Sequence, residues 1–85
     1  MPYSIEISNT AYRDLKKLPK MVRDSIGKVI DSLAFHPRPD GCVKMAAMQD
    51  MWRIRVGDYR IIYSIQDDRL VVLIVKIGHR REVYR

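Results

Sequence analysis

Arg53, Arg55 and Arg60 stand on either side of a Gly57-Asp58 pair, and the sequence closes on Gly78-His79-Arg80-Arg81-Glu82-Val83-Tyr84-Arg85. These residue types suit work on a polyanion. A guanidinium fork matches phosphate oxygens, and a basic stretch interleaved with an aromatic suits a nucleic acid, where the ring stacks on a base. Other catalytic apparatus is missing from the sequence. His36 and His79 are its histidines, there is no metal-ligand spacing, and no phosphate-cradling glycine loop or nucleophile elbow occurs. Cys42, the one cysteine, allows no internal disulfide and reads as a small apolar filler. Catalysis would therefore rest on Arg, Lys, His and Tyr, with no metal and no cofactor. That set suits cleavage of RNA by its own 2′-hydroxyl. Arginines stabilise the extra negative charge on phosphorus, and His79 or Tyr84 moves the protons.

Positioning these side chains needs a sheet. Met51 to Val56, Tyr59 to Gln66 and Arg69 to Ile77 are strand-like runs. Gly57-Asp58 joins the first two, with glycine where a type II′ hairpin wants it. Val56 then pairs with Tyr59, Arg55 with Arg60, Ile54 with Ile61, Arg53 with Ile62 and Trp52 with Tyr63. Alternation puts Trp52, Ile54, Val56, Tyr59, Ile61 and Tyr63 on one face, and Arg53, Arg55 and Arg60 on the other. Like charges directly opposite repel, a cost that solvent and splayed side chains reduce, and the arrangement is what a phosphate site needs. The bland alternative is that the arginines decorate a solvated sheet. Asp67-Asp68 is taken as a second two-residue connection, which sets Val75 opposite Arg60 and brings the basic tail close to Arg55 and Arg60. The arginine face would then also carry Ile62, Val71, Leu73 and Val75. Such an apolar patch beside a basic site suits a protein partner, or the tail itself.

Upstream, Tyr3, Ile5 and Ile7 alternate with Ser4 and Glu6, the period of a half-buried strand. Ser8 and Asn9 are cap residues. Ala11, Leu15 and Leu18 mark a short helix over Thr10 to Leu18, and Pro19 ends it. Val22, Ile26, Val29, Ile30 and Leu33 mark a second helix from about Lys20 to Ala34, tightly joined to the first. Lys16, Lys17, Lys20, Arg23 and Lys28 lie on the polar side, read by default as a solvated face. His36 to Gly41 is a loop by composition. Cys42 to Gln49 has no clear period and is left as loop or a poorly formed strand. The expectation is an α+β fold of two layers: an N-terminal strand, an αα-hairpin, then a three-stranded antiparallel meander completing a four-stranded sheet. Residues 1–85 are expected to form a single domain.

A net charge of +6 favours polyanionic partners. The opening residues lack a charged stretch leading into an apolar run. The longest apolar run, Leu70 to Val75, is far short of the roughly 20 residues that span a bilayer. A cytoplasmic protein with no membrane contact is expected.

The run from Trp52 to Tyr63 (WRIRVGDYRIIY) together with Ile77-Gly78-His79-Arg80-Arg81-Glu82-Val83-Tyr84 resembles the RelE/ParE toxin superfamily of type II toxin–antitoxin systems. The resemblance covers essentially the whole chain in order of elements, and implies a RelE-type mRNA interferase. Such a toxin enters the ribosomal A site and cuts mRNA there, inhibiting translation. By the same resemblance Arg53 and Arg55 bind the RNA phosphate; Arg81, in the basic tail, is a further candidate for phosphate binding. Arg60 stabilises the transition-state charge, Arg80 helps protonate the leaving group, and Tyr84 stacks on a base. His79 is a candidate base where some members have a lysine, whereas Asp50, the nearest acid before this block, is not favoured. The implied partners are a cognate antitoxin, the ribosome and mRNA, with operator DNA reached only through the antitoxin. Two other readings stay open: a ParE-like gyrase inhibitor, and a non-catalytic basic module that binds ribosomes or nucleic acid.

Overall fold

The structure is a computed structural model that describes residues 2–46 and 50–79. Its elements run β1 (Ser4–Ile7), α1 (Asn9–Lys16), α2 (Lys20–Leu33), β2 (Val43–Lys44), β3 (Met51–Val56), β4 (Tyr59–Gln66) and β5 (Val71–His79). The strands form one mixed sheet in the order β1-β5-β4-β3-β2, with β1 parallel to β5 and the other neighbours antiparallel. The α+β architecture is the one the sequence implies. The strand count rises from four to five because Val43–Lys44, in the stretch without a period, pairs with Trp52 and Arg53 at the sheet edge.

Local chemistry accounts for the helices. Ser8 caps α1: its Oγ accepts from the Ala11 amide at 3.0 Å, satisfying one of the donors that a helix start leaves open. Pro19 sits at the junction and α2 follows directly. The apolar stripes face the sheet. Ala11, Ile26, Ile30 and Leu33 are buried against Ile61, Tyr63, Ile65, Val72, Ile74 and Ile77, with Trp52, Ile54, Val56 and Tyr59 packed at the margin. The derived assignment of faces in β3 and β4 is thus the observed one.

A second cluster fixes the far end of the sheet. Tyr63 is fully buried and its hydroxyl donates to the Pro37 carbonyl at 2.9 Å, holding the loop after α2. Arg38, in that loop, makes a two-pronged ion pair with Asp67 in the β4–β5 turn, and its guanidinium lies 5.1 Å from the Trp52 ring centre. Tyr3 donates a 2.6 Å hydrogen bond to the same carboxylate. These bonds, Arg38 first and Tyr3 second, hold the Asp67 carboxyl below its usual range.

Candidate functional site

The β3–β4 hairpin is in the register expected, Val56 with Tyr59, Arg55 with Arg60 and Arg53 with Ile62. Gly57 has φ 61° and Asp58 is not in the left-handed region, so glycine at the first turn position carries the conformation that a type II′ turn requires. The turn brings Arg53, Arg55 and Arg60 together on the sheet face away from the helices. Arg55 is exposed and its Nε donates to the Gly57 carbonyl at 2.9 Å, closing the turn and leaving the terminal nitrogens of the fork for an anion. Arg60 is half-buried, with its Nε shielded from water, and Arg53 is half-buried between Val43 and Ile62. An anion placed there would meet two cations partly withdrawn from solvent, Arg53 and Arg60, where charge stabilisation exceeds its value in water, and one exposed, Arg55.

The β4–β5 register departs from the expectation. The connection has four residues, 67–70, because the Arg69 amide bonds the Gln66 carbonyl and Leu70 takes φ 55°. A bulge between Ile62 and Tyr63 then adds a further residue to β5. Arg60 consequently faces Gly78 and not Val75, and Ile62 faces Lys76. Val71 and Leu73, opposite Gln66 and Ser64, remain on the arginine face, but the apolar patch is not bare. Ile62 is 8% and Val71 5% exposed, and Leu73 and Val75 are half-buried. A central-strand residue such as Ile62 has the stem of Arg53 beside it across the β3–β4 ladder, and long cationic side chains cover apolar surface in this way.

His79 is not brought to the arginine face. It pairs with Tyr59 on the helix side, its ring edge-on to the Tyr59 ring at 5.6 Å between centres. There it lines a cleft of about 410 Å³ with Asp14, Lys17, Leu18, Tyr59, Ile77 and Gly78. Arg80, Arg81 and Tyr84 lie outside the described residues. Sequence reasoning missed two participants. Lys76 shares the register position of Ile62 on the arginine face, which the unforeseen bulge concealed. Asp14 takes the Ile77 amide from α1 at 3.1 Å, a role that helical periodicity cannot signal.

Sequence comparison bears on this geometry. The family profile described as ParE toxin of type II toxin–antitoxin system, parDE, matches residues 5–84. The chain is 34% identical to the toxin RelE of Mycobacterium tuberculosis over 99% of its length and 88% of the relative's. The chain belongs to the RelE/ParE toxin superfamily. Within the superfamily it is also similar to the toxin RelG of M. tuberculosis, at 31% identity over 100% of this chain and 99% of that one. Against the mRNA interferase toxin RelE of Escherichia coli it is 28% identical, over 99% and 92%. Among solved RelE structures, the archaeal RelE–RelB complex from Pyrococcus horikoshii superposes with a TM-score of 0.84 at 30% identity, covering 94% of this chain and 97% of that one. The RelBE2 complex of M. tuberculosis gives 0.80 at 28%, covering 94% and 100%. The RelE-like fold and the RelE/ParE superfamily membership that the resemblance implies are therefore both met.

Proposed function

We propose that this chain is a ribosome-dependent endoribonuclease toxin that cuts mRNA in the A site by attack of the 2′-hydroxyl. The observation that supports the reading most is the convergence of Arg53, Arg55 and Arg60 on one open sheet face. Arg53 and Arg55 bind the phosphate flanking the cut, and Arg60, whose Nε is shielded from water, stabilises the added charge on phosphorus. Arg80 and Tyr84 follow β5, whose Gly78 faces Arg60, and act on the leaving oxygen and the neighbouring base. Arg81 adds a phosphate contact. His79 serves as base only if its ring leaves Tyr59. Arginine and proton transfer together supply what the reaction needs, without a metal ion. Residues 1–85 work as one domain, in the cytoplasm. A cognate antitoxin holds the toxin inactive, as the RelE–RelB complexes among its structural relatives suggest, and operator DNA is reached only through that antitoxin.

A second reading has its own support, since the matching family profile carries the ParE name. A ParE-type toxin would poison gyrase and leave RNA intact. Two assays on one preparation separate them. The proposed function predicts an A-site cut in mRNA on translating ribosomes and no gyrase-dependent DNA breakage. DNA breakage without a cut would establish the gyrase reading, and neither activity from folded protein would leave a non-catalytic binding module.

A further inference from the structure

β5 outlasts its parallel neighbour. The β1–β5 ladder ends at Ile7 and Ile74, while β5 continues from Val75 to His79 along an edge that β1 no longer covers. Backbone groups on such an edge need partners or invite another strand. Here the start of α1 and its side chains take the place of the missing strand. The Ser8 amide donates to the Ile74 carbonyl at 2.9 Å and the Ser8 hydroxyl to the Val75 carbonyl at 2.8 Å. One helical span further on, Asp14 Oδ2 accepts from the Ile77 amide at 3.1 Å. The same oxygen lies 3.9 Å from Nζ of Lys76, whose register position is on the arginine face opposite Ile62. Asp14 is mostly shielded from solvent and stands in the cleft with Gly78 and His79. One carboxylate thus holds a backbone donor and a nearby ammonium, on the residues immediately before the glycine that faces Arg60. A charge-assisted bond to a backbone amide is stronger than a neutral one.

We propose that Asp14 is a positioning residue for the arginine site. It clamps the end of β5, so that Gly78 is held against Arg60. The inference rests on the proposed RNA cleavage for its kinetic consequence, but not for its structural one. Asp14 touches neither Arg60 nor the phosphate it would hold, so its loss misplaces the site without removing a cation from it. Small misplacements of a catalytic group cost about 10²-fold.

The test compares Asp14→Ala with Asp14→Asn, which keeps an oxygen able to accept from the Ile77 amide. Two readouts are taken on full-length protein: amide hydrogen exchange at Ile77 and Gly78, normalised to core amides such as Ile61, and single-turnover cleavage of A-site mRNA on ribosomes. Asp14→Ala is expected to speed exchange at Ile77 and Gly78 at least tenfold relative to Ile61. It should slow the cleavage step about tenfold to a hundredfold, with the ribosome concentration at half-maximal rate little changed. Asp14→Asn should restore most of both. Unchanged relative exchange in Asp14→Ala would overturn the clamp, as would equal loss of cleavage in both variants. If wild type cuts no RNA, the function proposal fails, and the exchange comparison still decides the clamp.

Discussion

Arg60, like Arg53, is partly withdrawn from water, whereas Arg55 is exposed, and Arg60 is set apart by its pairing with a glycine, Gly78 of β5. Removing a preorganised donor to transition-state charge typically costs 10²–10³-fold. Arg60→Ala should therefore lower the cleavage rate by about that factor, with binding to ribosomes changed far less. Arg55→Ala should act more weakly, because its exposed fork already spends Nε on the Gly57 carbonyl. Single-turnover cleavage with each variant checks the ranking. Tyr63 gives a test of stability instead. Burial first, and the neighbouring Cys42 second, push its phenol above the ordinary value. The ionised form is thus disfavoured in the fold, and the stabilisation is complete below the unfolded value of about 10 and lost as pH rises above it. Tyr63→Phe should cost about 1 kcal/mol near neutrality through the lost bond to Pro37. In urea unfolding, its deficit relative to wild type should shrink as pH passes 10.

At the scale of elements, the β3–β4 hairpin was legible because a two-residue glycine turn leaves only one register, and alternation then sorts every side chain. The next connection was not. Asp67-Asp68 resembles a tight turn, but Asp67 is held by Arg38 and Tyr3, and Leu70 adopts a positive φ that its residue type does not advertise. The bulge moves the register again, which is why Gly78 and Lys76, and not Val75, neighbour the arginines. Tertiary bonds between residues distant in sequence decide such positions, and periodicity carries no trace of them. His79 shows the same effect: its place in a basic tail suggests the arginine face, yet its pairing with Tyr59 sets it on the other. Ser8 is legible as a cap, but its second bond, to Val75, is hidden in the same way. Ser8→Ala removes both and should destabilise the fold by about 1–2 kcal/mol, measured as a lower urea midpoint with unchanged slope.

For the whole molecule, a net charge of +6 on 85 residues is consistent with a polyanionic partner, but it is the placement of charge that selects a face. Arg38 is consumed by Asp67 at the far end of the sheet, whereas the hairpin arginines gather at one end of the open face. Each phosphate neutralised on a single strand contributes roughly −0.7 to the slope of log affinity against log salt. Arg53→Ala should lower the magnitude of that slope by about 0.7 in RNA-binding titrations, and Arg38→Ala should leave it unchanged. The layered fold was legible because both helical stripes and the strands β3 and β4 follow their periods, and β5 stands out as an apolar run. The edge strand β2 was not, since two residues are too few to show one.

The central claim is that the arginine face promotes attack by the RNA's own 2′-hydroxyl. It is tested most directly by the chemistry of the ends left when wild-type protein cuts a defined mRNA on translating ribosomes. A 2′,3′-cyclic phosphate (or the 3′-phosphate it opens to) on the upstream fragment, with a 5′-hydroxyl downstream, is predicted, and both ends should vanish with Arg60→Ala. A 3′-hydroxyl with a 5′-phosphate, or a cut that Arg60→Ala leaves undiminished, would contradict the account.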